Sequence, residues 1–298
     1  MPSFGVHTGL QNTTTQELVG LWRQIEGLGF DWISIWDHFY AADNVGHHCH
    51  EAVAAHAALA MATERVRVGS LVYCAAYRHP AVLANAICTI DHLSGGRAEL
   101  GLGAGWAEGE YRAYGFPFPR AGARLDLLDE YIRVVRSLLT EETTDHEGPA
   151  FTFTDALCEP KPVQPRLPIW VGGGGERRTL RIAAEHADGW NIPFVAPDEF
   201  ARKREVLHRH CAEVGRDPAE IRCAVNVGLA WDDDSLRVQF GGIAEFVRPG
   251  VLSGSDQEVV DRVGTYLAAG ADQVNVALRA PWDPEALDRL APLLTALR

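Results

Sequence analysis

The amino-acid sequence predicts an α/β protein in which eight parallel strands alternate with eight helices to form a closed (β/α)8, or TIM, barrel. Short β-branched runs alternate with longer amphipathic stretches along the 298 residues, and this pattern repeats eight times. Eight repeats favour a closed barrel over an open doubly wound sheet. An α/β barrel of this length is one domain, so we expect a single domain over residues 1–298.

The predicted elements follow one another in regular order. The strands are 4–8, 31–36, 66–72, 97–102, 167–171, 188–192, 221–228 and 272–278. The helices are 15–28, 47–63, one starting at Pro80, 120–139, 176–186, 198–214, 255–269 and 283–297. Thr15 is the expected N-cap of the first helix, and Pro80 takes the N1 position that proline favours.

Two stretches interrupt the alternation and are predicted insertions, one after strand four and one after strand seven. Residues 141–166 are rich in Thr, Pro and Gly, with a hairpin expected around residues 151–153. Residues 230–254 are irregular. Alternation resumes directly after each stretch, so neither is a linker between domains.

Composition excludes several classes of protein. The formal net charge of -13 argues against nucleic acid or an anionic membrane as partner. No 18-residue apolar stretch predicts a membrane span, and the start, MPSFGVHTGL, lacks the features of a signal peptide. The six cysteines are scattered without a CxxC pair, which is typical of free thiols in a reducing compartment. We therefore expect a cytoplasmic protein.

Two glycine clusters follow predicted strands, where barrels of this type place their functional sites. They are GLGAG at residues 101–105 and the four glycines of residues 172–175. Such clusters are typical of tight turns or of backbone that lies close to a ligand. GLGAG lacks the spacing and later acidic residue of a dinucleotide-binding GxGxxG motif. Two strand ends of bare backbone therefore suggest a different large ligand.

The best acid/base candidate is the pair Asp37 and His38 at the end of strand two. Histidine titrates near neutrality and can accept or donate a proton at working pH. Adjacent residues at a strand end point in opposite directions, so we expect each to contact a different part of the site. The alternative is a buried, hydrogen-bonded histidine beside a capping aspartate.

A candidate anion site lies where the second glycine cluster enters a helix. Arg177, Arg178 and Thr179 follow the glycines and could add charge and a hydroxyl to the free N–H groups of a helix start. The alternative is a tight turn with solvent-facing arginines. Nearby, four aromatic residues offer flat surface for a planar ring system, although aromatic packing in the core explains them as well: Trp36, Tyr73, Tyr77 and Trp106.

Other chemistries have weaker support. The run from His47 to Glu51 could supply metal ligands, but only pairs such as His47 with Glu51 share a helix face. No second cluster completes a tetrahedral set, so no metal is predicted. No GxSxG elbow or cysteine nucleophile motif supports a hydrolase.

Several long motifs together resemble the luciferase-like monooxygenase superfamily, and within it the branch of oxidoreductases that depend on coenzyme F420, a deazaflavin. The resemblance runs through essentially the whole chain. The motifs are GFDWISIWDHF, ERVRVGSLVYCAAYRHPAVLANAICTIDHLSGGRAELGLGAGW, EYRAYGFPFP, CEPKPVQPRLPIWVGGGGERRTLRIAAEHADGWN and GADQVNVAL.

The resemblance implies a (β/α)8 barrel with a tricyclic ring bound at the strand ends. It implies that Asp37 and His38 contact the deazaflavin region, with His38 as proton donor or acceptor, and that a non-proline cis peptide joins Ser70 to Leu71 behind the ring. Other implied or expected cofactor contacts are Tyr73, Ala104, Gly105 and, at the phosphate tail, Gly174, Gly175, Arg177, Arg178 and Thr179. The expected substrate pocket contains His7, Trp36 and Trp106.

One position departs from the related sugar-phosphate dehydrogenases, which carry Glu directly after the strand-four glycines. Trp106 occupies that position, and Glu108, the second catalytic candidate, lies two residues further on. We therefore expect a more apolar substrate than a hexose phosphate. Trp106 is therefore the residue that most restricts the range of expected substrates.

The function predicted is hydride transfer between F420 and a small organic substrate. The alternative is an FMN-dependent two-component monooxygenase that takes reduced flavin from a partner reductase, and a flavin-binding barrel without turnover is a further alternative. Relatives often form homodimers, which we expect here, with a flavin or F420 reductase as the source of reductant.

Overall fold

The computed structural model describes residues 1–40 and 48–298, and its strands form one large parallel sheet and one hairpin. The strands are β1 Ser3–Thr8, β2 Trp32–Ile35, β3 Arg67–Ser70, β4 Tyr73–Cys74, β5 Ala98–Gly103, β6 Thr144–Glu147, β7 Thr152–Ala156, β8 Ile169–Gly172, β9 Gly189–Pro193, β10 Arg222–Leu229, β11 Val251–Leu252 and β12 Gln273–Leu278.

Helices follow most of these strands and cover the outside of the sheet. They are α1 Thr15–Gly27, α2 Ala52–Ala62, α3 Pro80–Ser94, α4 Glu108–Ala113, α5 Ala121–Thr140, α6 Thr179–His186, α7 Pro197–Val214, α8 Asp233–Phe240, α9 Ala244–Val247, α10 Asp256–Ala268 and α11 Pro284–Thr295. None of the helices in the described part of the chain is long and apolar enough to cross a membrane.

The sheet closes into the predicted barrel. Strands β1, β2, β3, β5, β8, β9, β10 and β12 pair in parallel in that order, and β12 pairs back onto β1. The short strands β4 and β11 extend the sheet beside β5 and β10. The (β/α)8 prediction is therefore confirmed, and the C-terminal ends of all eight barrel strands lie at one end.

Local sequence explains where the helices begin. Thr14, and not the predicted Thr15, caps α1, because its hydroxyl accepts from the N–H of Glu17 while the Glu17 carboxylate accepts from the Thr14 N–H. Pro80 occupies the first turn of α3 as predicted. The capping threonine and the first-turn proline thus determine the residues at which α1 and α3 begin.

Two predicted helices start later than the sequence suggested. The helix expected from residue 47 begins at Ala52 with Glu51 as N-cap, and His47 lies outside the described residues. The helix expected from residue 176 begins at Thr179. Residues 176–178 instead form a turn in which the Leu180 N–H bonds to the Gly175 carbonyl. The glycine cluster is thus separated from the helix by a turn.

The two insertions are more ordered than their composition indicates. Residues 141–166 contain the predicted hairpin, formed by β6 and β7. The stretch predicted as irregular, 230–254, contains α8, α9 and β11, and its apolar residues form a small core of their own. Helix α4, which follows β5, was not predicted.

Large aromatic rings fill the barrel near the N-terminal ends of its strands. The rings of Trp32 and Trp170 lie 5.8 Å apart, and both side chains are buried. Glycines make room for them, because a Cβ at Gly69 or Gly189 would overlap the Trp32 or Trp170 ring. The interior below the site is therefore packed rather than open.

Candidate active site

A cavity of about 570 Å³ opens at the C-terminal end of the barrel, and every barrel strand contributes to it. Its volume lies in the range of small-molecule and cofactor sites. The side chains and backbone that line it are those of His7, Trp36, Asp37, His38, Leu71, Val72, Cys74, Tyr77, Gly103, Ala104, Gly105, Trp106, Ala107, Gly172, Gly173, Asn191, Pro193, Phe194, Asn226, Ile243, Phe246 and Arg279.

His38 lies on the cavity wall with one ring nitrogen bound inside the protein. Its Nδ1 is 3.0 Å from both carboxylate oxygens of Glu110, which is 4% exposed. Because an ionised carboxylate only accepts hydrogen bonds, Nδ1 carries a proton and donates it to Glu110. Nε2 has no protein partner among the described residues, so in the neutral ring it is an acceptor open to the cavity.

Glu110 is a carboxylate held in its ionised form. Burial opposes its charge, but hydrogen bonds from His38, Tyr77 and the backbone N–H of Tyr40 outweigh burial and lower the pKa of Glu110. The Tyr77 hydroxyl donates to Glu110 over 2.9 Å. The carboxylate therefore fixes the tautomer and the orientation of the His38 ring.

Asp37 contacts a different part of the site, as the sequence predicted. Arg78 donates to both of its carboxylate oxygens, at 2.7 and 2.9 Å, and the Cys74 N–H donates over 2.9 Å. These bonds tie the end of β2 to the segment after β3. Asp37 does not contact His38 through any hydrogen bond found among the described residues.

His7, Trp36 and Trp106, the expected substrate-pocket residues, also line the cavity. Burial, followed by the charges of Arg279 and His38, lowers the pKa of His7 to about 3, so its ring is neutral. The Trp36 ring meets the His7 and His38 rings edge-on. Trp106 is 63% exposed and lies at the rim, 5.4 Å from the His38 ring.

The non-proline cis peptide joins Leu71 to Val72, one residue later than predicted. The Leu71 N–H still bonds to the Ile35 carbonyl, so the ladder between β2 and β3 runs one residue past Ser70 before the chain turns. Leu71 and Val72 line the cavity, whereas the Ser70 side chain is buried and bonds to the Gly101 backbone.

Like Ser70, the predicted site residues Tyr73 and Glu108 do not line this cavity. Tyr73 is fully buried in the core, with its hydroxyl 3.0 Å from Nδ1 of His56. Glu108 is exposed and binds Arg112 over 2.6 Å, one turn along α4. Residues two apart on a helix point about 200° apart, so Glu110 faces inward when Glu108 faces solvent. Glu110 was missed, although it begins the EYRAYGFPFP motif.

The glycine clusters divide between the cavity and its surroundings. Ala104 and Gly105 line the cavity as expected, and Gly105 has a φ of 76° where a Cβ would overlap the Tyr111 hydroxyl. Gly172 and Gly173 line it as well, whereas Gly174 and Gly175 do not.

The predicted phosphate-binding side chains lie beyond the cavity lining. Arg178 donates to the Gly122 carbonyl and to Asp126, and Thr179 is buried at the start of α6. Arg177 is exposed and has no polar partner in residues 1–40 and 48–298. Of the three described side chains, only that of Arg177 is neither buried nor bonded to another described residue.

Three polar residues of the cavity were missed by sequence reasoning: Asn191, Asn226 and Arg279. Asn226 Oδ1 accepts from Nδ2 of Asn191 over 3.0 Å and from Nδ2 of Asn275 over 3.1 Å. The Arg279 guanidinium lies 4.8 Å from the centre of the Trp36 ring. Their alternation with apolar residues along interior strands gave no signal that distinguished them from ordinary core polar groups.

Two histidines of the run meet at one backbone carbonyl, and a third lies elsewhere in the core. His48 and His50 each place Nε2 2.9 Å from the Thr13 carbonyl, while His56 is buried against Tyr73. These contacts account for the described histidines of the run as structural groups.

The luciferase-like monooxygenase family model matches residues 2–239. An uncharacterised protein of Mycobacterium tuberculosis is 37% identical over 155 residues, which are 52% of this chain and 54% of that protein, so the match spans about half of that relative. The F420-dependent glucose-6-phosphate dehydrogenase of Segniliparus rotundus is 30% identical over 233 residues, 77% of this chain and 69% of that enzyme.

A solved F420-dependent secondary alcohol dehydrogenase, in complex with an F420–acetone adduct, has the same fold. It superposes with a TM-score of 0.90 at 19% identity, over 100% of this chain and 99% of that one. The barrel, its site at the strand ends and the match over residues 2–239 agree with one another. The chain belongs to the luciferase-like monooxygenase family.

Proposed function

We propose that this protein is an F420-dependent oxidoreductase that transfers a hydride between the deazaflavin and a neutral organic substrate. The observation that carries the proposal is the His38–Glu110 pair on the wall of a large, mostly apolar cavity. Sequence relatives that are 30–32% identical over most of this chain are F420-dependent enzymes. Which neutral organic compound is the substrate depends on the lining of the cavity.

The cavity fits a flat tricyclic ring. Its walls at the ends of β5 and β8 are backbone or small side chains, and the absence of a Cβ at Gly103 and Gly172 lets Val72 pack against them on the cavity wall. When bound, deazaflavin supplies a ring carbon that accepts or donates a hydride and reacts poorly with oxygen. Leu71 and Val72 would support one face of the ring.

The remaining chemistry falls to His38. Oxidation of an alcohol moves a hydride to the cofactor and leaves the hydroxyl proton to a base, and carbonyl reduction needs the same proton returned. When the His38 ring is neutral, its Nε2 is an acceptor open to the cavity. Glu110 holds Nδ1–H and stabilises the positive charge that forms when Nε2 takes the proton.

The cofactor's phosphate tail would leave the cavity past Gly172 and Gly173. We retain Gly174, Gly175, Arg177 and the first N–H groups of α6 as its proposed contacts, because Arg177 has no partner in the described chain. Arg178 would contribute only by giving up its bonds to Gly122 and Asp126.

The cavity lining favours a neutral substrate. Arg279 is the one lysine or arginine among the described lining residues, and it is buried against Trp36. Trp106, Ile243 and Phe246 contribute apolar surface around the opening. A secondary alcohol or ketone fits this lining better than a sugar phosphate does.

We expect the protein to form a homodimer in the cytoplasm, and we expect a separate reductase to recycle the cofactor.

Titration with F420 and with FMN tests the proposal. We expect F420 to bind with micromolar affinity, measured by quenching of protein or cofactor fluorescence. Binding of FMN alone, with oxygen consumed when reduced flavin is supplied, would favour the two-component monooxygenase.

A matched pair of glycine variants assigns the binding to the cavity. In Gly103→Ala the new Cβ would lie 2.5 Å from Cγ2 of Val72 and push that side chain into the ring space. We expect its affinity for F420 to fall roughly tenfold. Gly20→Ala, on the outside of α1 with nothing near the new Cβ, is the control. Equal F420 affinity in both variants would place the cofactor elsewhere.

A further inference from the structure

Four amide side chains connect the cavity floor to the opposite end of the barrel. Asn226 on β10 lies beside Asn275 on β12, and Gln273 lies two residues before Asn275 on the same face of the strand. All are 3% exposed or less. Asn191 on β9 lies on the other side of Asn226 and is also buried.

The direction of every hydrogen bond along these amides follows from the bond that Arg222 makes to Gln273. Arg222 has only donors, and its Nη2 bonds to Oε1 of Gln273 over 2.6 Å. Gln273 Nε2 must then donate to Asn275 Oδ1, at 2.8 Å, and Asn275 Nδ2 donates to Asn226 Oδ1, at 3.1 Å. The Arg222 guanidinium thus fixes the orientation of the Asn226 amide, with Oδ1 directed toward Asn275.

The atoms left over face the cavity. Asn226 Nδ2 and Asn191 Oδ1 have no protein partner in the described chain, and neither is sealed inside the protein. Both residues line the cavity and are 3% exposed, so the cavity is where these atoms are reached. The cavity floor therefore presents one hydrogen-bond donor and one acceptor, on two residues that are bonded to each other.

We propose that Asn226 and Asn191 are specificity-determining residues that bind a neutral group offering both an acceptor and a donor. Such groups are a hydroxyl and the –CO–NH– edge of a ring. A carboxylate or phosphate would set its charge against Asn191 Oδ1. The proposal rests on the proposed function, because the group belongs either to the deazaflavin ring edge or to the substrate of that reaction.

The direct test replaces the donor with an acceptor of the same shape. In Asn226→Asp the carboxylate keeps the bonds from Asn191 and Asn275 but presents oxygen to the cavity. We expect it to weaken binding of one of two probes about fivefold or more. The probes are F420, followed by fluorescence, and cyclohexanol, followed by the rise in Tm of the F420-loaded protein.

Loss of F420 affinity assigns the pair to the ring edge, and loss of the cyclohexanol effect assigns it to the substrate hydroxyl. Asn85→Asp, on the exposed face of α3, is the matched control. If Asn226→Asp fails to fold, Asn191→Asp is the second variant, because its carboxylate cannot donate to Asn226 Oδ1 and the bond that positions the cavity-facing acceptor is lost.

A remote variant separates the two sources in another way. In Gln273→Glu the carboxylate stays ionised beside Arg222 and can only accept, so every amide above it turns over and the donor and acceptor exchange places. A ring edge of fixed order then loses affinity, whereas a rotating hydroxyl adapts. Gln16→Glu, exposed at the start of α1, is the control, and an unchanged unfolding Tm excludes a merely structural effect.

Three results overturn the proposal. The first is equal binding of both probes by Asn226→Asp, Asn191→Asp and Asn85→Asp. The second is F420 weakened by Asn226→Asp but unaffected by Gln273→Glu. The third is wild-type protein that binds neither probe. If wild-type protein does not bind F420, the proposed function is contradicted, and the rise in Tm with cyclohexanol alone is then compared between wild type and Asn226→Asp to decide the role of the pair.

Discussion

The two ends of the barrel treat buried polar groups in opposite ways. At the N-terminal end, Glu99 is fully buried and accepts from Arg67 and from the Trp170 indole N–H. At the C-terminal end, His38 and Asn226 each keep one polar atom open to the cavity. Groups that are satisfied internally stabilise the fold, whereas groups left open are available to a ligand. The comparison predicts which changes affect activity and which affect stability.

The largest expected effect is loss of turnover in His38→Gln. Removal of a general base typically lowers the rate by about 10²–10⁴-fold. The measurement is the rate of F420 reduction with the best substrate from a screen of secondary alcohols. We expect the F420 affinity and Tm to change little, because His38 contributes few core contacts.

The exposed His92→Gln variant controls for general effects of this substitution, since the His92 ring bonds to the Lys161 carbonyl, outside the site. Full activity of His38→Gln would assign the proton transfer to another group.

The counterpart at the other end is Glu99→Gln, which should lower stability and leave activity intact. It removes the buried charge that pairs with Arg67, and Arg222 lies 3.7 Å away. Breaking a fully buried pair costs 3–5 kcal/mol, but both arginines are partly exposed, so we expect a loss of about 2 kcal/mol. Urea unfolding measures it. Unchanged stability with reduced F420 turnover would reverse the assignment of the two ends.

Glu110→Gln tests whether the Glu110 carboxylate assists proton transfer at the His38 ring. The amide cannot stabilise positive charge on His38, and we expect the turnover rate to fall about tenfold, or about 1.4 kcal/mol. Glu108→Gln is the matched control, because the exposed Glu108 side chain bonds to Arg112 at the surface. Equal rates for the two variants would show that His38 acts without Glu110.

A smaller effect concerns pH and His7. The pKa of His7 is lowered to about 3 by burial, so the unfolded chain takes up a proton near pH 6.5 that the folded protein does not. Stability is therefore fully present above pH 6.5 and falls as the pH drops toward 3.

The measurement compares wild type with His7→Gln by urea unfolding at pH 7 and pH 5.5. Between these values His7 should account for a loss of roughly 1 kcal/mol, which the variant lacks. The same fall in both proteins would show that His7 is charged in the folded state.

The fold was predictable because the alternation of strands and helices is a periodic signal, and all eight barrel strands lie within or beside the stretches predicted as strands. The boundaries were less predictable, since they depend on contacts distant in sequence. The turn at residues 176–178 forms where Glu176 binds Arg202 and Lys203 on α7. Residues 230–254 fold into α8 and α9 because their apolar side chains pack around Phe240 and Phe194.

The candidate site divides in the same way. His38 and Asp37 were found because they follow a strand, where barrels place their sites. Glu110 was not found, because only the short helix α4 shows which of two glutamates faces inward. Asn226 and Asn191 were not found either, because their importance depends on hydrogen bonds between three strands. Local pattern thus indicates a location, whereas pairing across the barrel determines which atoms are free.

The most direct test of the account is a crystal structure of the protein with F420. The account predicts the deazaflavin ring in the cavity, between the Leu71–Val72 peptide and the backbone of residues 103–105, with Nε2 of His38 facing the substrate side of the ring. A ring bound outside the barrel mouth, or with His38 turned away from it, would contradict the account.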